Sequence, residues 1–350
     1  MRYTRWTRRE GRGGLQYLVR VPEPSPTRPK RRGRLIRIGA ALLVLSGVAA
    51  YLVVQYVTGG PGARGCRVVS GAGDGASYEF TPEQAVNAAT IAAVGTGRGM
   101  PERAVTIALA TAIQESGLRN IEHGDRDSLG LFQQRPSQGW GTEQQVMDPA
   151  YAAGIFYAHL ARVPDYTDLP LTVAAQRVQR SGYPEAYAKH EPDATLLAAA
   201  LTGHAAATLT CDGRPEGTAE AIGPDAVRAA LVRDFGRDAL QETGAEVGGT
   251  EVPSPSPSPS VTATAHGRTV TVPVPEGRRT DAGGRDERER GWQLAQWAVA
   301  NSSSLHIQRV AYAGREWAAG SNGGQWRTAG AQGTAGAEKS AGAVRIITGQ

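Results

Sequence analysis

The sequence predicts a mainly α-helical domain behind a single N-terminal transmembrane helix, with a small α/β domain after it. Three observations carry this. Residues 1–37 hold 12 Lys+Arg against 2 Asp+Glu, and the next 20 positions, 38–57, carry no charge. Residues from about 81 to 205 fall into capped segments with helical apolar spacing. Beyond Cys211 the composition changes, with PSPSPSPS at 253–260 and short apolar runs near the end.

A helix over 38–57 reaches about 30 Å at about 1.5 Å per residue, the thickness of a bilayer's hydrocarbon core. Lys30, Arg31, Arg32, Arg34 and Arg37 crowd its start. The positive-inside rule then makes 1–34 a basic cytoplasmic segment, 35–57 the span and the remainder extracytoplasmic. The expected location is the plasma membrane, crossed once. A cleaved signal peptide is the rival reading, but its apolar core runs about 7–15 residues and it lacks so long a polar lead. The chain's net charge of +5 divides into +10 on residues 1–37 and −5 on the rest. Its basicity therefore reports membrane orientation and gives no reason to expect nucleic-acid binding. The Arg-rich start could meet anionic lipid or a cytosolic partner, although a solvated orientation signal is the simpler account.

Residues 58–77 are Gly-rich and read as a stalk. A helical domain follows over 78–212. Thr81 caps its first helix, Pro82 suits the first turn, and Gln84 completes a capping box. Pro101 opens a second helix, in which Val105, Leu109, Ala112 and Ile113 mark a buried face and Gly117 is the stop. Residues 118–147 lack periodicity and read as loop with short strands. Helices resume at about 148–162, 171–180, 184–189 and 193–202, with Asp148 and Asp193 as caps. Residues 213–350 form the α/β accessory domain: a helix at 224–236, a Pro/Ser-rich insertion at 251–265, a helix at 286–302, a hairpin about Ala313-Gly314 and a final strand in AVRIITG.

The two cysteines, Cys66 and Cys211, bracket the helical domain on the expected outer side, where disulfides persist. A bridge is favoured over two free thiols. No Cys-x-x-Cys or clustered histidine spacing suggests a metal site, and nothing calls for a cofactor. His123, His159, His190 and His204 read as surface or helix-face residues.

Glu115 is the candidate catalytic group. A solvated glutamate titrates near ~4.3 and would reach a neutral-pH reaction already ionised. Burial raises that value, and the negative end of a helix dipole disfavours the anion further. Glu115 stands two residues after Ile113 and two before the helix stop, so both effects act on it. The plain alternative is an ordinary solvated helix-end residue.

Gln114-Glu115-Ser116, with Gly130-Leu131-Phe132-Gln133 and Pro136, resembles the paired signature of the lysozyme-like superfamily, in its soluble lytic transglycosylase and goose-type lysozyme branch. GDRDSLGLFQQRPSQGWGT (124–142) and VQRSGYPEAYAKH (178–190) resemble lysozyme-like domains of actinobacterial proteins and phage lysins. The resemblance covers about 80–205. It implies that Glu115 is the general acid/base and that Gly130, Leu131, Phe132 and Gln133 line a glycan cleft, with Phe132 where Met is usual. It implies peptidoglycan strands as the partner, cut between N-acetylmuramic acid and N-acetylglucosamine. The family's third signature, Ala-Tyr-Asn-Ala-Gly, is absent; Ala175 to Ser181 take its place, and Gln179 is the amide there for an N-acetyl group. Ser116 either holds Glu115 or is a simple helix-end serine. Trp140 and Tyr187 are sugar-stacking or core residues, and Gln133 is favoured over Gln134 as an acetamido contact. A hydrolase would want a second carboxylate, for which Asp125 and Asp127 are the candidates. A turn-forming role suits both better, so the reading leans to a transglycosylase.

WAVANSSSLHIQRVAYAGREW (297–317) is similar to a small C-terminal domain of secreted actinobacterial wall hydrolases. The histidines usual near the end of that domain are missing from GAVRIITGQ, so a wall-binding or protein-interaction module is expected here. Trp292, Trp297, Trp317 and Trp326 are sugar platforms or packing residues. Two functions thus stand: a membrane-anchored lytic transglycosylase, and a non-catalytic peptidoglycan-binding scaffold.

Overall fold

In a computed structural model the chain divides into two units, Met1–Ala63 and Arg64–Gln350. The structure describes residues 65–181, 184–212, 223–237, 267–274, 286–320, 324–329 and 342–349, all in the second unit. The expected basic segment, the span at 35–57, the start of the stalk and the Pro/Ser-rich insertion at 251–265 lie outside the described residues.

The fold is mixed α/β, which corrects the expectation of a mainly helical domain. Among the described residues eight α-helices accompany two antiparallel sheets, and no helix is long and apolar enough to cross a membrane. The first sheet has the order β2-β1-β3, from β1 (Cys66–Val69), β2 (Ser77–Phe80) and β3 (Leu209–Cys211). β1 therefore occupies what reads as stalk. Strands of three and four residues are too short to show a period, and β1 pairs with a partner that lies beyond all the helices of the domain.

α1 (Pro82–Gly97) begins at the anticipated capping box, with Thr81 and Gln84 bonding each other's backbone amides. α2 (Glu102–Ser116) is buried from Ala104 to Ala112 and ends at Gly117, whose φ of 63° is left-handed. α3 (Glu143–Val146) is a single turn. α4 (Pro149–Leu160) is capped by Asp148, which accepts from Ala150 and Tyr151. α5 (Leu171–Gln179), a 3-10 helix (Pro184–His190) and α6 (Glu191–Leu201) complete the set. Asp193 is not a cap: α6 starts at Glu191 after His190, and Asp193 lies in its first turn, favourable to the helix dipole.

The second sheet has the order β4-β8-β5-β6-β7. Its strands are β4 (Thr269–Pro273), β5 (Ile307–Tyr312), β6 (Arg315–Ala318), β7 (Arg327–Thr328) and β8 (Ala343–Thr348). Val310, Val344 and Ile346 are buried on strands that pack against α8 (Glu287–Ala300), and Val270 and Val272 are buried on β4, which packs against the helix Pro224–Phe235. β8, the last in sequence, lies between β4 and β5. The hairpin turn falls at Ala313 and Gly314 as expected, both at positive φ.

α7 (Pro224–Phe235) packs on α1, and α8 packs on α1 and α6 as well as on its own sheet. Gln296 of α8 donates to the carbonyls of Ala200 and Ala205 and accepts from the amides of Thr208 and Leu209. Trp317 and Trp326 donate to the carbonyls of Cys211 and Leu209, and Trp297 donates to the buried Asp234 carboxylate. Trp292, Trp297 and Trp317 are at most 2% exposed and Trp326 is 9% exposed, so all four are packing residues and none is a sugar platform. The region after residue 212 is built onto the helical region through a polar and aromatic seam. Gly203 sits at that seam with φ of 91°, and a Cβ there would lie 1.8 Å from the Glu289 carbonyl oxygen.

Also at the seam, His204 lies between Glu102 of α2 and Glu289 of α8. Burial pushes the Glu102 carboxyl up, but the His204 hydrogen bond and charge, with the Thr202 hydroxyl, outweigh it and hold the group below its ordinary value. A carboxyl depressed in the fold stabilises above its unfolded pKa, and that contribution is lost as pH falls through the folded value. Thermal unfolding of the wild type and Glu102→Gln should therefore differ near neutral pH and converge in acid. The seam is about 20 Å from Glu115 along α2, 13 residues at the helical rise.

Candidate active site at Glu115

α2 delivers Glu115 by a tightly specified ending. The amide of Gly117 bonds the Ile113 carbonyl and that of Leu118 bonds the Ala112 carbonyl, the pattern of a Schellman stop. The carbonyls of Gly117 and Leu118 then accept from Gln84 and Asn87 of α1, both at 2.8 Å. These two amides were not anticipated as site supports. The signal was available: two amides three residues apart on an otherwise Ala-rich helix face.

Ser116 is buried and is a brace, not a substrate contact. Its hydroxyl donates to the Leu131 carbonyl at 2.8 Å and the Ala112 carbonyl at 3.1 Å, and accepts from the Arg119 amide. It thereby joins the end of α2 to the Gly130–Gln133 loop. Gly130 has φ of 74°, and a Cβ there would lie 2.4 Å from the Val146 carbonyl oxygen, so only glycine fits. Leu131 and Phe132 are fully buried, which corrects their assignment to a glycan-lining surface. The Phe132 ring stacks on Phe156 of α4 at 4.7 Å, so the loop is fastened by its apolar side chains. Gln134 is buried and donates to the Ala152 carbonyl. Gln133 is half-buried, with φ of 48°, and its side-chain amide donates to the Gly130 carbonyl at 3.2 Å.

Glu115 itself is half-buried. The Tyr187 hydroxyl donates to its Oε1 at 2.6 Å. Tyr187 is fully buried on the 3-10 helix, so it is not a sugar-stacking face but the group that orients Glu115. Gln179 also hydrogen-bonds Glu115, and its Nε2 donates to the Phe132 carbonyl at 2.7 Å. That places Gln179 in the site as a link between Glu115 and the loop; its amide hydrogens are engaged by the protein. His190 meets the side chain of Gln114 at 3.0 Å, a contact that its position alone did not reveal.

Burial pushes the Glu115 carboxyl above its ordinary value, against the opposing hydrogen bonds from Tyr187 and Gln179. The helix C-terminus acts in the same direction as burial. Tyr187 is raised by burial and by the charge and hydrogen bond of Glu115, so it stays a donor. Removing that donor removes a group that favours the anion. In Tyr187→Phe the Glu115 pKa should rise further, and the alkaline limb of the kcat/KM profile should move to higher pH while the maximal rate falls about tenfold or more. An unmoved limb would mean that Tyr187 does not act through Glu115.

Asp127 accepts from the Arg135 guanidinium and the Ser137 amide, both at 2.8 Å. Ser137 and Arg135 hold its carboxyl far below the usual range, so it is a fixed anion that closes the loop. Asp125 is exposed beside Arg126. Neither bonds Glu115, and both serve as turn residues. Trp140 is half-buried and stacks on His159 at 4.4 Å. Among the described residues no group of three or more His, Cys, Asp or Glu could hold a metal ion. The expected bridge is present: Cys66 and Cys211 face each other in the β1–β3 register and are disulfide-bonded.

The Trp292–Trp317 region is similar to a known domain family. A family model described as "VldE, C-terminal domain" matches residues 251–339. The match spans about a quarter of the chain and includes β4, α8, β5, β6 and β7; no part of the Glu115 site falls within it. No curated protein matches the chain.

Proposed function

We propose that this chain cleaves the β-1,4 bond between N-acetylmuramic acid and N-acetylglucosamine in peptidoglycan, as a lytic transglycosylase with Glu115 as its single acid/base. The observation that carries the reading is a half-buried glutamate with a raised pKa at a helix C-terminus, oriented by a buried tyrosine. Such a group can remain protonated near neutral pH and give its proton to a leaving oxygen.

The balanced sequence uses one carboxyl. Glu115 protonates the bridging oxygen, and the bond from muramic C1 to that oxygen breaks with its electron pair going to the oxygen. The resulting Glu115 carboxylate stabilises the oxocarbenium-like centre and then takes the proton of the C6 hydroxyl. The C6 oxygen bonds to C1, closing a 1,6-anhydro ring, and Glu115 is protonated again. No second carboxylate is needed, which agrees with the engagement of Asp127 by Arg135 and Ser137. The disulfide supports placement outside the cytosol, where the substrate lies.

The test is digestion of isolated peptidoglycan by the wild type and Glu115→Gln, with products read by mass spectrometry. Anhydro products lighter by one water than hydrolysed muropeptides, lost in the variant, support the reading. Reducing-end products would mean a hydrolase. Absence of products from either protein, with both still pelleting with the wall, would replace it by the binding-scaffold reading.

A further inference from the structure

We infer that His190 is a positioning residue for Glu115: its bond to Gln114 locks the 3-10 helix onto the last turn of α2 and so holds the Tyr187 hydroxyl against the carboxylate. This rests on the acid/base reading of Glu115 and adds to it the group that keeps the carboxyl oriented.

The 3-10 helix Pro184–His190 reaches α2 at two points. The Tyr187 hydroxyl donates to Glu115 Oε1 at 2.6 Å, and His190 Nε2 meets Gln114 Oε1 at 3.0 Å. The Gln114 oxygen can only accept, so the imidazole Nε2–H is the donor. Side chains three apart on a 3-10 helix eclipse one another. Tyr187 and His190 therefore leave the segment on one side. Their acceptors are consecutive residues of α2, about 100° apart around that helix. The two bonds diverge, and a roll of the segment that keeps one breaks the other.

Apolar packing anchors the segment at one point. Among the side chains at 185–190 Tyr187 alone is buried, while Glu185, Ala188 and Lys189 are exposed. His190 is also the residue through which the segment passes into α6, with φ of −96°, ψ of −3° and no side-chain bond to the helix start. Helix starts favour Ser, Thr, Asp or Asn, whose oxygens accept from the first amides. His190 leaves that place uncapped and directs its ring to α2 instead. Burial and then the Lys189 charge hold the ring below its ordinary pKa, against the opposing Asp193 carboxylate, so it is neutral near neutral pH. Its bond is to Gln114, so it acts on the Glu115 carboxyl by way of Tyr187.

The experiment follows the Glu115 carboxyl itself, by NMR of the full-length chain with labelled glutamate, the resonance identified by its loss in Glu115→Gln. That titration needs no substrate. His190→Ala and Gln114→Met each remove the bond, one from either side. Each should loosen the Tyr187 donor and raise the Glu115 pKa by about half a unit or more, roughly a threefold change in the ionisation constant. The two changes together should do no more than one, and neither should add to Tyr187→Phe. His190→Gln, whose amide can still donate to Gln114, should restore the wild-type titration. Cleavage of isolated peptidoglycan should fall about tenfold in the two variants that lack the bond and recover in His190→Gln. Gln114→Met carries the same test where His190→Ala fails to fold. A titration unmoved by the loss of the bond, or a shift that persists undiminished in the Tyr187→Phe background, overturns the inference and leaves the glycan reading standing. The expected pattern of shifts in a chain whose wild type cleaves no glycan supports the positioning and overturns the glycan reading.

Discussion

Glu115→Gln will lower glycan cleavage by about 10²–10⁴-fold, the usual contribution of a positioned acid/base, with the melting temperature at neutral pH equal to or above that of the wild type. The stability half follows from the sign of the pKa shift. Glu115 is raised in the fold, so the unfolded chain ionises first as pH climbs. Its contribution turns unfavourable as pH rises through the ordinary glutamate value, and the full cost is present above the folded value. An amide of nearly the same shape removes that cost and can still accept from Tyr187. Loss of cleavage with retained or improved stability is the signature of a group strained for function. Loss of both would mean that Glu115 is a structural residue, and retained cleavage would move the chemistry elsewhere. The measurement is a pair: initial rates on isolated peptidoglycan and thermal unfolding of the same samples across pH.

Much of this arrangement is legible in the sequence because it is local. Thr81 with Gln84, Asp148 before Pro149, and Gly117 after Ser116 each announce a helix boundary through chemistry completed within a few residues, and each is where it was anticipated. The Ala313-Gly314 turn is local for the same reason. Long-range features are less visible. β1 falls in a Gly-rich stretch and pairs with β3, which begins at Leu209. β4 carries the alternation of Val270 and Val272, but the run is brief and its partner β8 lies far along the chain. Both omissions turn a mixed fold into an apparently helical one.

The site divides in the same way. Glu115 and Ser116 are readable from a helix end, and Gly130 from a loop. The orientation of loop side chains is not, since Phe132 turns inward onto Phe156 while Gln133 stays within reach of solvent. Tyr187, 72 residues from Glu115, reaches its carboxylate only once α5 and the 3-10 helix are folded against α2. The region after residue 212 shows the strongest tertiary effect. Trp297, Trp317 and Trp326 read as candidates for a wall-facing surface, yet all three are spent, with Gln296, on the seam with the helical region. That region serves the fold around the N-terminal end of α2, while Glu115 lies at the other end.

Removing the disulfide, by reduction or by Cys66→Ala with Cys211→Ala, is expected to give the largest loss of stability of any change of this size. The bridge closes a loop with a sequence separation of 145 that contains all of α1 to α6. The chain-entropy model assigns such a loop about 5 kcal/mol, and native disulfides of secreted domains give about 2–5 kcal/mol on removal. Its position makes the upper part of that range the expected one. Cys211 also supplies the carbonyl that receives Trp317, and Asp212 the carbonyl that receives the Gly320 amide. β3 is thus shared by the small sheet and by the seam with the second sheet. With β1 free to leave β3, both interfaces loosen at one strand. The two single variants and the double variant should lose nearly the same stability, because each removes the same bond. Unequal losses would trace the effect to cysteine packing, and unchanged denaturant midpoints would mean that the paired strands hold the junction without the bridge. Glu115 lies inside the closed loop, so cleavage measured under reducing conditions should fall with the folded fraction and not ahead of it.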